Sequence, residues 1–144
     1  MGGIGMKTKF NFKSQICTDK IQSEHLLALG LKKETADCCW TIDERGNITI
    51  SLIDDAVEYI EPAWSLGRLL EMLPSPIPIS EDLPTFHHYA YLDLSKVSAH
   101  YYWEDYDGAE RALVSFSGNG LFAAVVDAIE WLIKEGNFNK KYLA

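Results

Sequence analysis

The chain has 144 residues, a net charge of −8 and 47% apolar residues, and its length fits one domain spanning residues 1–144. The apolar and charged fractions lie close to globular averages, which argues against a disordered chain. The acidic balance argues against nucleic-acid binding, because proteins that bind phosphate backbones gain affinity from Lys and Arg contacts. No stretch reaches 18 uninterrupted apolar residues, so no membrane partner is predicted.

Cysteine usage predicts a cytoplasmic protein. Cys17, Cys38 and Cys39 are an odd number, and two of them are adjacent, whereas a secreted disulfide framework normally uses an even and well-spread set. We therefore expect free thiols. Met6 and Lys7 resemble an original start preceded by a short leader, and residues 1–13 are expected to be flexible.

The first predicted element is a helix over residues 19–29. Thr18 is its expected N-cap, because hydroxyl side chains accept hydrogen bonds from the first turn. Gly30 is expected in the left-handed position after the last turn, and Leu31 then follows where a Schellman motif places an apolar residue.

A β-hairpin is predicted next, because apolar and hydroxyl residues alternate with a period of two on both sides of a polar loop at residues 43–47. This alternation gives the hairpin one apolar face and one hydroxyl face. The apolar face consists of Trp40, Ile42, Ile48, Ile50 and Leu52.

A second helix is predicted to begin at Ser65 and to end before Pro74. Trp64 precedes the cap and Leu69 occupies the fourth helical position, which is the spacing of a hydrophobic staple. An extended connector over residues 74–84 follows, because its prolines lack backbone donors.

Three strands are predicted over residues 86–94, 97–103 and 112–116, joined as a meander. An amphipathic helix closes the chain, with apolar residues repeating at spacings of three and four; they are Phe122, Val125, Val126, Ile129, Leu132 and Ile133. Together these elements predict an α+β fold with a single antiparallel sheet of about five strands and helices packed on one face.

The densest group of aromatic residues predicts an interaction surface on the open face of that sheet. Aromatic side chains are common at protein interfaces, although packing by the connector at residues 74–84 would also account for them. The predicted surface consists of Tyr89, Tyr91, Tyr102, Trp103 and Tyr106.

No catalytic set, metal site or cofactor site is predicted. His88 and His100 lie on neighbouring predicted strands and would meet in a favourable register, but two histidines make only half of a zinc site. No zinc-binding spacing of cysteine or histidine completes it.

Three segments carry a family resemblance: SEHLLALGLKKETADCCW at residues 23–40, PAWSLGRLLEMLP at 62–74 and DAIEWLIKEG at 127–136. As a set they resemble small uncharacterised proteins of gut Bacteroidetes, many of which are associated with prophages or other mobile elements. That group has no assigned activity. The resemblance therefore implies only a bacterial or phage origin and an intracellular setting.

The favoured hypothesis is a non-enzymatic module that binds a protein partner or associates with itself. The aromatic run and the lack of a catalytic set motivate it. A small enzyme or ligand-binding domain with a site around His88 and His100 is the alternative, and an acidic nucleic-acid mimic is a third.

Overall fold

The computed structural model of the chain describes residues 15–53 and 59–144, so the predicted leader at residues 1–13 lies outside the described residues. The described helices are α1 (Lys20–Ala28), α2 (Leu66–Met72) and α3 (Leu121–Lys134). The described strands are β1 (Cys38–Ile42), β2 (Ile48–Leu52), β3 (Glu61–Ala63), β4 (Ile77–Pro78), β5 (Tyr89–Leu94), β6 (Ser98–Glu104) and β7 (Glu110–Ser117). No helix of the described part combines the length and the apolar character needed to cross a bilayer.

The strands form two antiparallel sheets, one in the order β2-β1-β3 and one in the order β4-β5-β6-β7. The α+β class and the meander are confirmed, but the prediction of a single five-stranded sheet is wrong. Two further strands prevent the hairpin and the meander from joining in one sheet. These strands have only three and two residues, too few to show a period in the sequence, and each contains a proline. Strand β3, with Pro62, occupies the second edge of β1, and β4, with Pro78, occupies the outer edge of β5. The predicted hairpin and the predicted meander therefore belong to separate sheets.

Helix α1 begins with a capping box at Asp19, and the prediction of Thr18 as the N-cap is wrong. The Asp19 carboxylate accepts a hydrogen bond from the Gln22 amide at 2.7 Å, and the Gln22 side chain accepts one from the Asp19 amide at 3.1 Å. Thr18 is fully buried and is used elsewhere: its Oγ1 accepts a hydrogen bond from the Trp64 amide at 3.0 Å. The Thr18 hydroxyl therefore takes part in a tertiary hydrogen bond and does not cap the helix.

The C-terminal end of α1 has the predicted Schellman motif. Gly30 has a φ of 106°, and its amide donates to the Leu27 carbonyl at 3.0 Å. The Leu31 amide donates to the Leu26 carbonyl at 3.1 Å. Both leucines at positions 26 and 31 are buried in the main core, so the motif ends the helix and anchors the chain that follows.

Helix α2 begins at the predicted cap. The Ser65 hydroxyl accepts a hydrogen bond from the Arg68 amide at 3.1 Å. The Asp37 carboxylate in turn accepts a hydrogen bond from the Ser65 amide at 2.8 Å, which ties the start of α2 to the chain just before β1. Trp64 and Leu69, the two residues of the predicted staple, are both fully buried in the main core.

Helix α3 packs on one face of the four-stranded sheet, against β6 and β7, and it also contacts α1 and α2. Five residues of its predicted apolar stripe are buried: Phe122, Val125, Val126, Ile129 and Leu132. The Trp131 ring lies beside Tyr101 and Phe116, with centroid distances of 6.0 and 6.2 Å. Buried residues of α3 and of β6 belong to the same main core. Each fully buried apolar side chain contributes roughly 1.5–3 kcal/mol to stability.

Candidate functional site

The structure leaves three of the predicted interaction residues on the open face of the four-stranded sheet. Tyr91 and Tyr102 are cross-strand partners with ring centroids 6.1 Å apart. Tyr89 lies two residues before Tyr91 and so points to the same side. Tyr101, the neighbour of Tyr102, packs toward α3 on the other side. We call Tyr89, Tyr91 and Tyr102 the tyrosine face.

The other two predicted residues do not belong to this face. Trp103 is only 8% exposed and lies in the main core, which corrects its assignment to the surface. The physical reason is alternation: adjacent Tyr102 and Trp103 must point to opposite sides of one strand. Tyr106 is exposed but lies beyond the end of β6, where its ring meets Phe86 edge-on at a centroid distance of 4.7 Å.

His88 and His100 do not come together. His100 is the cross-strand partner of Asp93, and its Nε2 lies 3.5 Å from a carboxylate oxygen of that residue. His88 precedes Asp93 by five residues, so the two histidines are separated by roughly 16 Å along the sheet. Within residues 15–53 and 59–144, no three His, Cys, Asp or Glu side chains are grouped so as to hold a metal ion.

The cysteines are free, as predicted, and they are buried. Burial, with smaller contributions from neighbouring groups that include the Asp37 carboxylate, raises the pKa of the Cys17 thiol to about 12 and that of the Cys38 thiol to about 11. A cysteine nucleophile or metal ligand needs the thiolate form. These two thiols therefore act as packing groups at neutral pH.

The three-stranded sheet carries a second apolar surface, which the sequence analysis did not identify as exposed. The cross-strand pairs Cys38–Leu52, Trp40–Ile50 and Ile42–Ile48 place the predicted apolar face of the hairpin on one side of the sheet. Much of this side is uncovered, since Ile42 is 59% exposed, Ile48 65% and Leu52 74%. Two further exposed residues, Ile16 and Ile60, adjoin it. We call the set of Ile16, Ile42, Ile48, Leu52 and Ile60 the isoleucine surface.

Trp40 lies at the centre of the isoleucine surface and is held by two hydrogen bonds. Its indole Nε1 donates to the Thr18 carbonyl at 3.1 Å, and its own carbonyl accepts from the Ile60 amide at 2.8 Å. The ring is half-buried above a small cluster formed by Cys17, Cys38 and Ala63. The exposed isoleucines therefore surround a fixed aromatic ring.

Two shallow depressions flank the Trp40 ring. One, of about 280 Å³, is lined by Asp19, Lys20, Trp40, Ile48, Ile60 and Glu61. The other, of about 260 Å³, is lined by Gln15, Ile16, Cys17, Asp19, Trp40 and Ile50. Burial and, to a smaller extent, the Glu24 carboxylate raise the pKa of Glu61, whereas Lys20 lowers it. The surface of both depressions is mostly apolar, and the charged groups in their lining are those of Asp19, Lys20 and Glu61.

Indole, aliphatic and phenol groups supply buried area and orientation at an interface. The sequence did contain a signal for the isoleucine surface: the run from Gly46 to Ile53 has no charged residue.

Comparison of the chain with protein-family models, with curated proteins and with solved structures gave no match.

Proposed function

We propose that this protein is a non-enzymatic interaction module that associates with a second copy of itself through the isoleucine surface. One observation carries the proposal: Ile42, Ile48 and Leu52 lie on one face of a single strand pair, and each is more than half exposed. Contiguous exposed apolar patches of this kind mark interaction sites on soluble proteins.

The available area supports a reversible dimer. Five side chains exposed by 55–74% offer roughly 300 Å² of apolar area per copy, taking about 100 Å² for each fully exposed side chain. An interface with this apolar core falls in the small class that is typical of transient association. We therefore expect a weak, reversible dimer and not an obligate one.

Local charge does not oppose a second copy as the occupant, despite the net charge of −8. Like charges placed opposite each other destabilise a contact between strands. The run from Gly46 to Ile53 contains no charged residue, so two copies can bring β2 together without direct repulsion.

Sedimentation velocity over micromolar to millimolar protein concentrations tests the proposal. We expect concentration-dependent dimerisation of the unmodified protein and at least about tenfold weaker association of the Ile48→Ser variant, which removes apolar contact from both copies. The matched control is Val97→Ser, because Val97 is a β-branched residue that is also more than half exposed but lies in the turn between β5 and β6. A protein that stays monomeric throughout, or equal association of the two variants, would refute the proposal.

The tyrosine face is the second candidate surface for the same function. Exposed Tyr91 and half-buried Tyr102 form an aromatic pair on the face opposite α3. A phenol hydroxyl must find a hydrogen-bond partner when it is buried, so less free energy is gained by burying these side chains than by burying isoleucine. Loss of association in Tyr91→Ser but not in Ile48→Ser would assign the interface to this face.

A further inference from the structure

The backbone of β2 presents its free hydrogen-bonding groups at three positions. The Asp43 amide donates to the Asn47 carbonyl at 2.8 Å, and the Ile53 amide donates to the Asp37 carbonyl at 3.1 Å. These two contacts mark residues 47 and 53 as positions whose backbone bonds point toward β1.

In an antiparallel pair such positions recur at every second residue. Residues 49 and 51, whose partners on β1 are Thr41 and Cys39, therefore also form their backbone hydrogen bonds with β1. The amides and carbonyls of residues 48, 50 and 52 then point away from β1. Since β2 is the last strand of its sheet among the described residues, these groups lie on a free edge.

The edge at β2 also lacks the features by which edge strands avoid pairing, namely charge and proline. The other three sheet edges in the described part have them. Strand β3 contains Glu61 and Pro62, β4 contains Pro78, and β7 begins with Glu110 and Arg111. Strand β2, with the sequence ITISL, contains neither.

We propose that two copies pair through β2, antiparallel, with Ile50 on the two-fold axis. This inference rests on the proposed self-association and places the contact at the β2 margin of the isoleucine surface: Ile48 and Leu52 meet across the axis, while Ile16, Ile42 and Ile60 stay on one face of the joined sheet. Ile50 lies opposite Ile50 of the second copy, and Ile48 lies opposite Leu52. Each outward amide then gains a carbonyl partner, and the apolar faces of both copies lie on the same side of one continuous sheet. The contact is closed because both copies use the same strand.

The register follows from the side-chain pattern. A shift by one residue would bring inward-bonded positions into the pairing and place the two apolar faces on opposite sides. With Ile48 on the axis instead, Leu52 would lie opposite Glu44, an apolar side chain against a charged one. Placing Ile50 on the axis pairs all three outward positions with apolar residues.

Cysteine cross-linking tests this register. The two Cα atoms of a hydrogen-bonded antiparallel pair are about 5.5 Å apart, a distance that a disulfide spans. Under mild oxidation we expect Ile50→Cys to form a covalent dimer, seen by non-reducing electrophoresis and by mass spectrometry of the linked peptide. Cys17 and Cys38 lie in the cluster on which Ile50 packs, so the cross-linking variants are made with both native thiols replaced by alanine.

The position of the axis predicts which other variants cross-link. Ile48→Cys alone is the control, because its partner in the second copy is Leu52, and we expect no covalent dimer. The double variant Ile48→Cys/Leu52→Cys should cross-link through its 48–52 pairs. Cross-linking of Ile48→Cys alone with none in Ile50→Cys would overturn the register.

A proline substitution tests the role of the backbone edge. Leu52→Pro removes an outward N–H that β1 does not use, and proline is tolerated on edge strands at such positions. Leu52→Ala removes a similar amount of side chain but keeps the N–H. In sedimentation velocity, with folding checked by circular dichroism, we expect the dimer of Leu52→Pro to be about tenfold weaker than that of Leu52→Ala, because both copies lose a hydrogen bond.

The outcomes separate the two proposals. Equal association of Leu52→Pro and Leu52→Ala, together with no cross-link in Ile50→Cys, overturns edge pairing while leaving association through the isoleucine surface in place. A strictly monomeric unmodified protein overturns both.

Discussion

The buried hydroxyl of Thr18 offers a sharp test of how the structure joins its elements. Thr18 and Ser23 are both fully buried, and their hydroxyl oxygens lie 2.8 Å apart. The Thr18 Oγ1 also accepts a hydrogen bond from the Trp64 amide at 3.0 Å. This single hydroxyl thus connects the segment before α1 with the segment that leads into α2.

We expect Thr18→Val to destabilise the protein by about 2 kcal/mol. Valine has nearly the same shape, so the cost comes mainly from the Trp64 amide, which loses its acceptor. The Ser23 hydroxyl loses one of two contacts and keeps the Thr18 carbonyl oxygen at 3.5 Å. Each buried polar group left without a hydrogen bond costs about 1–3 kcal/mol. Urea unfolding measures the change in the free energy of unfolding.

A matched control and a double variant make this test specific. Thr49 is exposed, and its hydroxyl lies 3.1 Å from that of Thr41, so Thr49→Val should change stability by no more than about 0.5 kcal/mol. Thr18→Val/Ser23→Ala also removes the Ser23 hydroxyl that pairs with Thr18 Oγ1, so the two substitutions should be non-additive by about 1 kcal/mol. A Thr18→Val variant as stable as Thr49→Val would refute the reasoning.

Two further predictions concern backbone and thiol groups. Gly30→Ala should destabilise the protein by about 1 kcal/mol, because Gly30 has a φ of 106° that alanine rarely adopts. Gly67→Ala within α2 should stabilise the protein by a similar amount, because alanine favours the helix more than glycine does. Thermal unfolding compares the two variants, and equal effects would contradict this prediction. Because the pKa of Cys17 and that of Cys38 are raised in the folded state, the unfolded chain loses these protons first as the pH rises above about 9. Stability should therefore fall between about pH 9 and 11, by about 1.4 kcal/mol per pH unit per thiol. Cys17→Ala should make this fall shallower in urea unfolding, and an unchanged slope would contradict the assignment.

The predictions that the structure confirms rest on local physics. The stripe of α3, the cap at Ser65 and the left-handed Gly30 each follow from contacts within a few residues along the chain. The apolar side of the hairpin was also identified correctly, because alternation alone determines which side chains share a face. The assignment of Trp103 to the surface was wrong because it ignored this alternation, which points the adjacent side chains of Tyr102 and Trp103 to opposite sides of the sheet.

The parts that failed depend on long-range pairing. Strands β3 and β4 are too short to show a period, and they form because β1 and β5 offer free edges to them. The role of Thr18 changed because the Trp64 amide, far along the chain, needs an acceptor in the core. Neither the strand pairing nor the Thr18 hydrogen bond can be inferred from a short segment of sequence, because each joins residues that are far apart along the chain.

By itself the sequence determined the helices, the hairpin, the meander and the composition of each face, because these follow from periodicity and from the chemistry of capping residues. Only the tertiary structure decided that there are two sheets, that His88 and His100 stay apart, and that the isoleucines around Trp40 are uncovered. The physical reason is that burial depends on what packs over a face, and a strand's own residues carry no information about its cover.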